Sequence, residues 1–150
     1  MINHWTKAAL TLAMQSHILP RSMASHNNCP FCQTTSDRFV MLNKYSIAFQ
    51  DSFPISRGHT LVIPLKHVAS VYELSDDQQA DLWHLAARIR QQLHDELHPD
   101  AFNIGVNDGT VAGQTVNHAH IHVIPRYKGD VVDPRGGIRW IIPEKAKYWK

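Results

Sequence analysis

The chain has 150 residues, enough for one ordinary domain and too few for a two-domain enzyme. A hydrophobic fraction of 43% against 19% charged residues excludes wholesale disorder and leaves a core to bury. A formal charge of +2 falls short of the concentrated basic surface that a phosphate backbone requires, so no specific nucleic-acid partner is expected.

No apolar run approaches the roughly 20 residues that cross a bilayer, so a soluble, cytoplasmic protein with no membrane partner is expected. Lys7 ahead of Ala8–Met14 has a loose signal-peptide form, but Thr11 interrupts the apolar stretch and no small-residue cleavage site follows. Residues 1–28 are therefore read as an N-terminal extension, with Met23 as an alternative start. Residues 29–128 are read as the functional domain and 129–150 as its C-terminal tail. Cys29 and Cys32 in Cys-Pro-Phe-Cys are too close together to staple distant segments, which leaves a metal or redox pair.

Phe39–Leu42 and Ser46–Gln50 flank a polar connection short enough for a hairpin. Thr60–Ile63 predicts a third strand, stopped by Pro64, which cannot donate to a ladder. Ser75 with Gln78 has the capping-box spacing, and Asp76 and Asp77 favour a helix N-terminus. Leu82, Ala86, Ile89, Leu93 and Leu97 then recur on one helical face until Pro99 ends it. Phe102–Val106 and Ala119–Ile124 complete a set of five strands, with Asn107-Asp108-Gly109 as a turn between them. Hairpins, one helix and further strands predict an α+β fold with a mostly antiparallel sheet.

Eleven histidines are the compositional excess, and three alternate in His118-Ala119-His120-Ile121-His122. In a strand these imidazoles share one face while Ala119, Ile121 and Val123 share the other and pack the core. A single three-histidine metal site is disfavoured, because at about 3.3 Å per residue the outer Cα atoms lie roughly 13 Å apart. An imidazole on such a face is left the roles of nucleophile or phosphate partner. Just upstream, the segment from Gly109 to Thr115 is small and hydroxyl-bearing, and such loops let backbone N–H groups approach an anion.

These motifs resemble the histidine triad family. The resemblance extends through Gly113-Gln114-Thr115-Val116 before the histidines, Pro125-Arg126 after them, and the run from Asp51 to Pro64 followed by His67. It implies a histidine triad fold, with a five-stranded mostly antiparallel sheet, one long amphipathic helix and a shorter one, and a homodimer. The implied function is hydrolysis or nucleotidyl transfer at the α-phosphate of a dinucleoside polyphosphate or nucleoside phosphoramidate. His120 would be the nucleophile and form a nucleotidyl-histidine; His122 and Gln114 would contact phosphate or leaving group, with Gly113 and Thr115 beside them. Asp51 would accept from ribose hydroxyls, Asn107 would lie near sugar and phosphate, and Leu42 and Phe49 would line the base pocket.

By the same resemblance, Cys29, Cys32, His67 and His118 would hold a structural zinc, and no organic cofactor is implied. The cationic, aromatic tail containing Arg135, Arg139, Trp140, Lys145, Lys147 and Trp149 has two readings, a solvated, partly packed tail or a cover over the leaving-group side of the pocket. The competing readings are a non-catalytic nucleotide-binding or zinc-stabilised interaction protein, and, third, a metal-dependent hydrolase.

Overall fold

The computed structural model describes residues 28–149. The reading of residues 1–28 as an extension, and of Met23 as a start, falls almost wholly outside the described residues. Five strands form one antiparallel sheet: β1 (Phe39–Leu42), β2 (Ser46–Gln50), β3 (Thr60–Pro64), β4 (Ala101–Gly105) and β5 (Ile121–Arg126), in the spatial order β1-β2-β3-β5-β4. Helix α1 (Asp76–Leu97) crosses one face, and the short α2 (Pro143–Ala146) lies in the tail. Among the described residues no helix is long and apolar enough to cross a membrane.

Helix α1 begins where the capping box predicts. The Ser75 hydroxyl accepts from Gln78 N, and the Gln78 side chain accepts from Ser75 N at 3.1 Å. It ends at His98, whose φ of 49° is left-handed, immediately before Pro99. Leu82, Ala86, Ile89 and Leu93 bury their side chains against Ala48, Val62, Ile121 and Val123 of the sheet. Leu85 joins that face as well, widening the stripe beyond the predicted positions. The other sheet face carries Ile47, Phe49, Leu61, Ile63 and Leu65, edged by Phe31, Phe39 and Leu42. Strand alternation thus gives the molecule two apolar layers, one under the helix and one beside the histidines.

Three predicted strand boundaries are corrected. β3 includes Pro64, opposite Ser46 on β2, because β3 pairs with β5 only over Thr60–Val62 and the missing N–H costs no rung there. β4 runs one residue earlier than predicted, Ala101–Gly105. β5 begins at Ile121 and not at Ala119, since Ala119 N donates to Val68 O at 2.7 Å and so is tied to the loop after β3. β5 also continues through Pro125, whose carbonyl turns away from β4 to accept from the Ser56 hydroxyl at 2.6 Å. Its ring nitrogen points the same way, where no ladder partner stands.

Candidate functional site

His118 and His120 precede β5 and His122 lies within it, yet the alternation of faces persists through all three. Ala119, Ile121 and Val123 are buried under α1, while the imidazoles of His120 and His122 lie side by side with ring centroids 4.9 Å apart. His120 is only 4% exposed, and its Nδ1 sits 2.7 Å from the carbonyl oxygen of His118. A carbonyl only accepts, so Nδ1 carries the proton and Nε2 keeps its lone pair. Among the described residues no hydrogen bond occupies that Nε2.

His118 turns the other way. Its Nε2 lies 2.9 Å from Pro64 O, which fixes the proton there and leaves Nδ1 as a lone pair facing the thiols of Cys29 at 3.6 Å and Cys32 at 3.5 Å. His67 Nδ1 lies 3.3 Å from Cys32 Sγ, and the four ligand atoms all fall within 4.8 Å of one another. Bonds of about 2.3 Å to sulfur and about 2.0–2.1 Å to nitrogen, at a tetrahedral angle, would set sulfur and nitrogen about 3.6 Å apart. The three sulfur–nitrogen distances of 3.3, 3.5 and 3.6 Å therefore suit a tetrahedral cation held by these four residues. Burial, followed by hydrogen bonding and charge from Cys29, pushes the Cys32 thiol up to about 12, so a cation must displace protons when it binds.

The third constellation is Asp51, His59 and His122, whose candidate ligand atoms also lie within 4.8 Å of one another. They form a chain: His59 Nδ1 is 3.4 Å from Asp51 Oδ2, and His59 Nε2 is 3.0 Å from His122 Nδ1. The Ile55 amide donates to His59 Nδ1 at 3.4 Å, which assigns the His59 proton to Nε2 and directs it to His122 Nδ1. Neutral His122 then bears its own proton on Nε2. Burial, then the charges of His120 and His59, press His122 down to about 4, with Asp51 opposing; burial likewise lowers His59. At neutral pH both rings are therefore uncharged.

The loop before the histidines is shaped by Gln114. Its Oε1 accepts from Gly109 N and its Nε2 donates to Ala69 O, each at 2.8 Å, so this side chain is spent on backbone. Gly113 has φ +94°, a conformation that residues with a Cβ rarely adopt, and Thr115 beyond it is exposed. Phe49 is buried in the apolar layer, with Leu42 packed at its margin. The ring of Phe31 covers this layer, edge-on to Phe49 at 5.6 Å and to His120 at 5.1 Å. Asp51, Asn107 and His122 instead line a cavity of about 1100 Å³ that runs along β4 to the tail. The structure thus gathers Cys29, Cys32, His67 and His118 in one cluster and His120 beside His122, puts Asp51 and Asn107 with His122 on the cavity wall, and places Leu42 and Phe49 in the apolar layer under Phe31.

Two neighbours of the site were not singled out in the sequence. Extending the β3 alternation back by one step, His59 shares the face of Leu61, which pairs with His122, so His59 was findable from period alone. Phe31 had no such signal, because only tertiary folding brings the middle of the Cys-x-x-Cys turn onto His120.

A HIT domain model matches residues 33–129. The adenosine 5'-monophosphoramidase of Schizosaccharomyces pombe is 41% identical over 103 residues, 66% of this chain and 74% of that protein. The asymmetrical bis(5'-nucleosyl)-tetraphosphatase of the same organism is 41% identical over 87 residues, 58% of this chain and 48% of that protein. Among solved structures, a HIT family member from Bacillus subtilis superimposes with TM-score 0.63 at 36% identity, covering 69% of this chain and 76% of that one. A Zn-bound histidine triad protein from Mycobacterium smegmatis does so with TM-score 0.59 at 35% identity, covering 63% and 69%.

Proposed function

The chain belongs to the HIT domain family, and on that premise we propose that it is a nucleotide hydrolase or nucleotidyl transferase that cleaves at the α-phosphate through His120. The observation that carries this reading is the 2.7 Å bond from His120 Nδ1 to the His118 carbonyl, which leaves Nε2 as an oriented, unshared lone pair. Nε2 attacks the α-phosphorus, the bond from phosphorus to the leaving oxygen or nitrogen breaks, and that atom takes up a proton. Water then attacks the phosphorus, the phosphorus–nitrogen bond breaks with its electron pair returning to Nε2, and the proton lost by the water passes to solvent, leaving a nucleoside monophosphate and neutral His120. As the ring becomes cationic in the first step, its Nδ1–H bond to the carbonyl strengthens where charge develops.

In the same reading, neutral His122 offers its Nε2–H to a phosphate oxygen, held in that tautomer by His59. Thr115 and the backbone at Gly113 approach the phosphate, and Gln114 acts by holding that loop in shape. Asp51 and Asn107 serve the sugar and phosphate from the cavity wall, while Phe49 and Leu42 supply the apolar floor on which the base rests. A zinc ion is assigned to Cys29, Cys32, His67 and His118, supported by their sulfur–nitrogen spacings and by similarity to the Zn-bound relative. Bound there, it supplies a cross-link between the Cys-x-x-Cys turn and the histidine segment.

Residues 29–128 form the catalytic body in this proposal, and 129–150 belong to the same domain because the tail lines the same cavity. A cytoplasmic homodimer is carried by family similarity. An unpaired β4 edge with Ile104 42% exposed supports a protein surface there. The test is turnover of adenosine phosphoramidate and of a dinucleoside polyphosphate by the intact chain, with trapping of a labelled nucleotidyl adduct. His120→Asn must abolish both adduct and turnover; a variant retaining either would move the nucleophile elsewhere.

A further inference from the structure

Asp51, His59 and His122 stand in line, and the middle ring has a partner for either of its neutral tautomers. His59 Nδ1 lies 3.4 Å from the Ile55 amide, a donor, and 3.4 Å from Asp51 Oδ2, an acceptor. The amide asks for a lone pair on Nδ1 and a proton on Nε2; the carboxylate asks for the reverse. Asp51 Oδ1 accepts from Phe53 N at 2.9 Å, which holds the carboxylate in place and leaves Oδ2 to the ring. At the other end His59 Nε2 lies 3.0 Å from His122 Nδ1, where either nitrogen can donate to the other.

The tautomer of His59 therefore sets that of His122. With the proton on His59 Nε2, His122 Nδ1 accepts and its Nε2 carries an N–H. With the proton on His59 Nδ1, His122 Nδ1 donates and its Nε2 becomes a lone pair. Exchange between these states takes a proton in at one end of the line and gives one out at the other, with both rings neutral before and after. Burial lowers both rings below the ordinary imidazole range, His122 to about 4, so a proton is handed on and not stored as an imidazolium.

The two ends also meet different spaces. His122 lines the cavity of about 1100 Å³ that runs along β4. Asp51 and His59 line a second cavity as well, of about 430 Å³, bounded by Gln50, Ile55 and Arg57 and not by His122. With its side chain 16% exposed, Asp51 keeps a route to water that does not pass His122.

A displacement through a nucleotidyl-histidine needs opposite proton transfers at one place. The leaving atom departs from the side of phosphorus opposite His120 Nε2 and takes up a proton; water then enters from that side and must lose one. We propose that Asp51, His59 and His122 form a proton relay that serves both steps by reversing its tautomers, with His59 a positioning residue that acts through His122. In the first step His122 Nε2–H passes to the leaving atom as that atom takes the electron pair of its bond to phosphorus. The His59 Nε2 proton moves to His122 Nδ1, and a proton from water beside Asp51 moves to His59 Nδ1. In the second step the attacking water gives its proton to His122 Nε2, the His122 Nδ1 proton returns to His59 Nε2, and His59 Nδ1 releases its own to the water beside Asp51. The proton borrowed from solvent is returned, so the cycle balances. The inference rests on the reading of His120 as nucleophile and adds the path of the protons.

The test uses two adenylyl substrates with the full chain: adenosine phosphoramidate, whose amine needs a proton to leave, and the p-nitrophenyl ester of adenosine monophosphate, whose phenolate leaves without one. His59→Gln keeps a carboxamide N–H for His122 Nδ1 but cannot hand a proton on. With the ester it is expected to release about one nitrophenolate per chain at the wild-type rate, then to turn over about a hundredfold more slowly than wild type while labelled nucleotidyl adduct accumulates. Its phosphoramidate turnover should fall as far, without a burst. A burst slowed as much as turnover marks a structural loss and overturns the relay, as does turnover within about threefold of wild type. Single-turnover hydrolysis of the wild-type adduct in mixtures of light and heavy water reads the same claim without a variant. The rate should curve with deuterium fraction because more than one proton moves, and a linear or flat dependence overturns the relay. His120→Asn separates the two ideas: a burst or adduct surviving in it removes the nucleophile, whatever His59→Gln shows.

Discussion

His118 faces two clusters at once: its backbone carbonyl accepts from His120 Nδ1 at 2.7 Å, while its own Nδ1 lies 3.6 Å and 3.5 Å from the Cys29 and Cys32 thiols. One residue therefore joins the candidate cation site to the proposed nucleophile. The link is mechanical, since a ligated His118 ring limits where its carbonyl can go, and that carbonyl orients His120.

Metal removal is expected to act on stability first and on rate second. Protein purified without added metal should contain about one zinc per chain if all four ligands are used. Cys29→Ser with Cys32→Ser should lower the melting temperature, and kcat should fall while KM for the nucleotide moves less. Elemental analysis with thermal unfolding checks this, and zinc-free protein of unchanged stability would refute it.

Replacing the proposed nucleophile should separate binding from chemistry. His120→Asn is expected to bind nucleoside monophosphate within about tenfold of wild type while losing turnover, because the nucleophile's energy is expressed in bond-making. Calorimetric titration beside initial rates measures both halves of the claim.

Acid should destabilise the fold through His122. Its folded value is about 4 against an ordinary 6.5, so between those limits the unfolded chain binds the extra proton and the folded chain does not. Stability should therefore fall as pH drops from about 6.5 toward about 4, a window in which His59, lowered in the same direction, adds to the effect. The groups facing His122 are His120, His59 and Asp51. Denaturant midpoints across this range should slope less steeply in His122→Gln than in wild type; parallel slopes would assign the acid sensitivity to other groups.

Gln114 is expected to act through the loop it braces. Gln114→Ala removes the partners of Gly109 N and Ala69 O, so kcat/KM should fall for dinucleotide and phosphoramidate alike. Gln114→Glu keeps the acceptor for Gly109 N but loses the donor to Ala69 O, and should fall between the two. A large loss on one substrate only would instead indicate direct contact with the leaving group.

The helix cap provides a control remote from the site. Ser75→Ala should cost about 1 kcal/mol of stability, read as a shifted denaturant midpoint with unchanged slope.

Much of this was legible locally. The capping box at Ser75 and Gln78, the stripe from Leu82 to Leu97 and the stop at Pro99 are short-range signals, and α1 follows them. The hairpin of β1 and β2 has its predicted bounds for the same reason. The alternation of His118, His120 and His122 with apolar residues told which side chains share a face, because period 2 is a property of extended backbone whether or not a ladder forms.

What required the tertiary structure was every relation between segments distant in the chain. Ala119 looked like strand but is bonded to Val68, and Pro64 and Pro125 sit inside strands because their ring nitrogens face places where no ladder partner stands. No spacing rule places Phe31 on His120, or sets Asp51 in line with His59 and His122. Local sequence determines backbone period, caps and tautomer-capable side chains, since those energies act within a few residues; which lone pair is left unshared is decided only when the sheet closes and every other polar group has taken its partner.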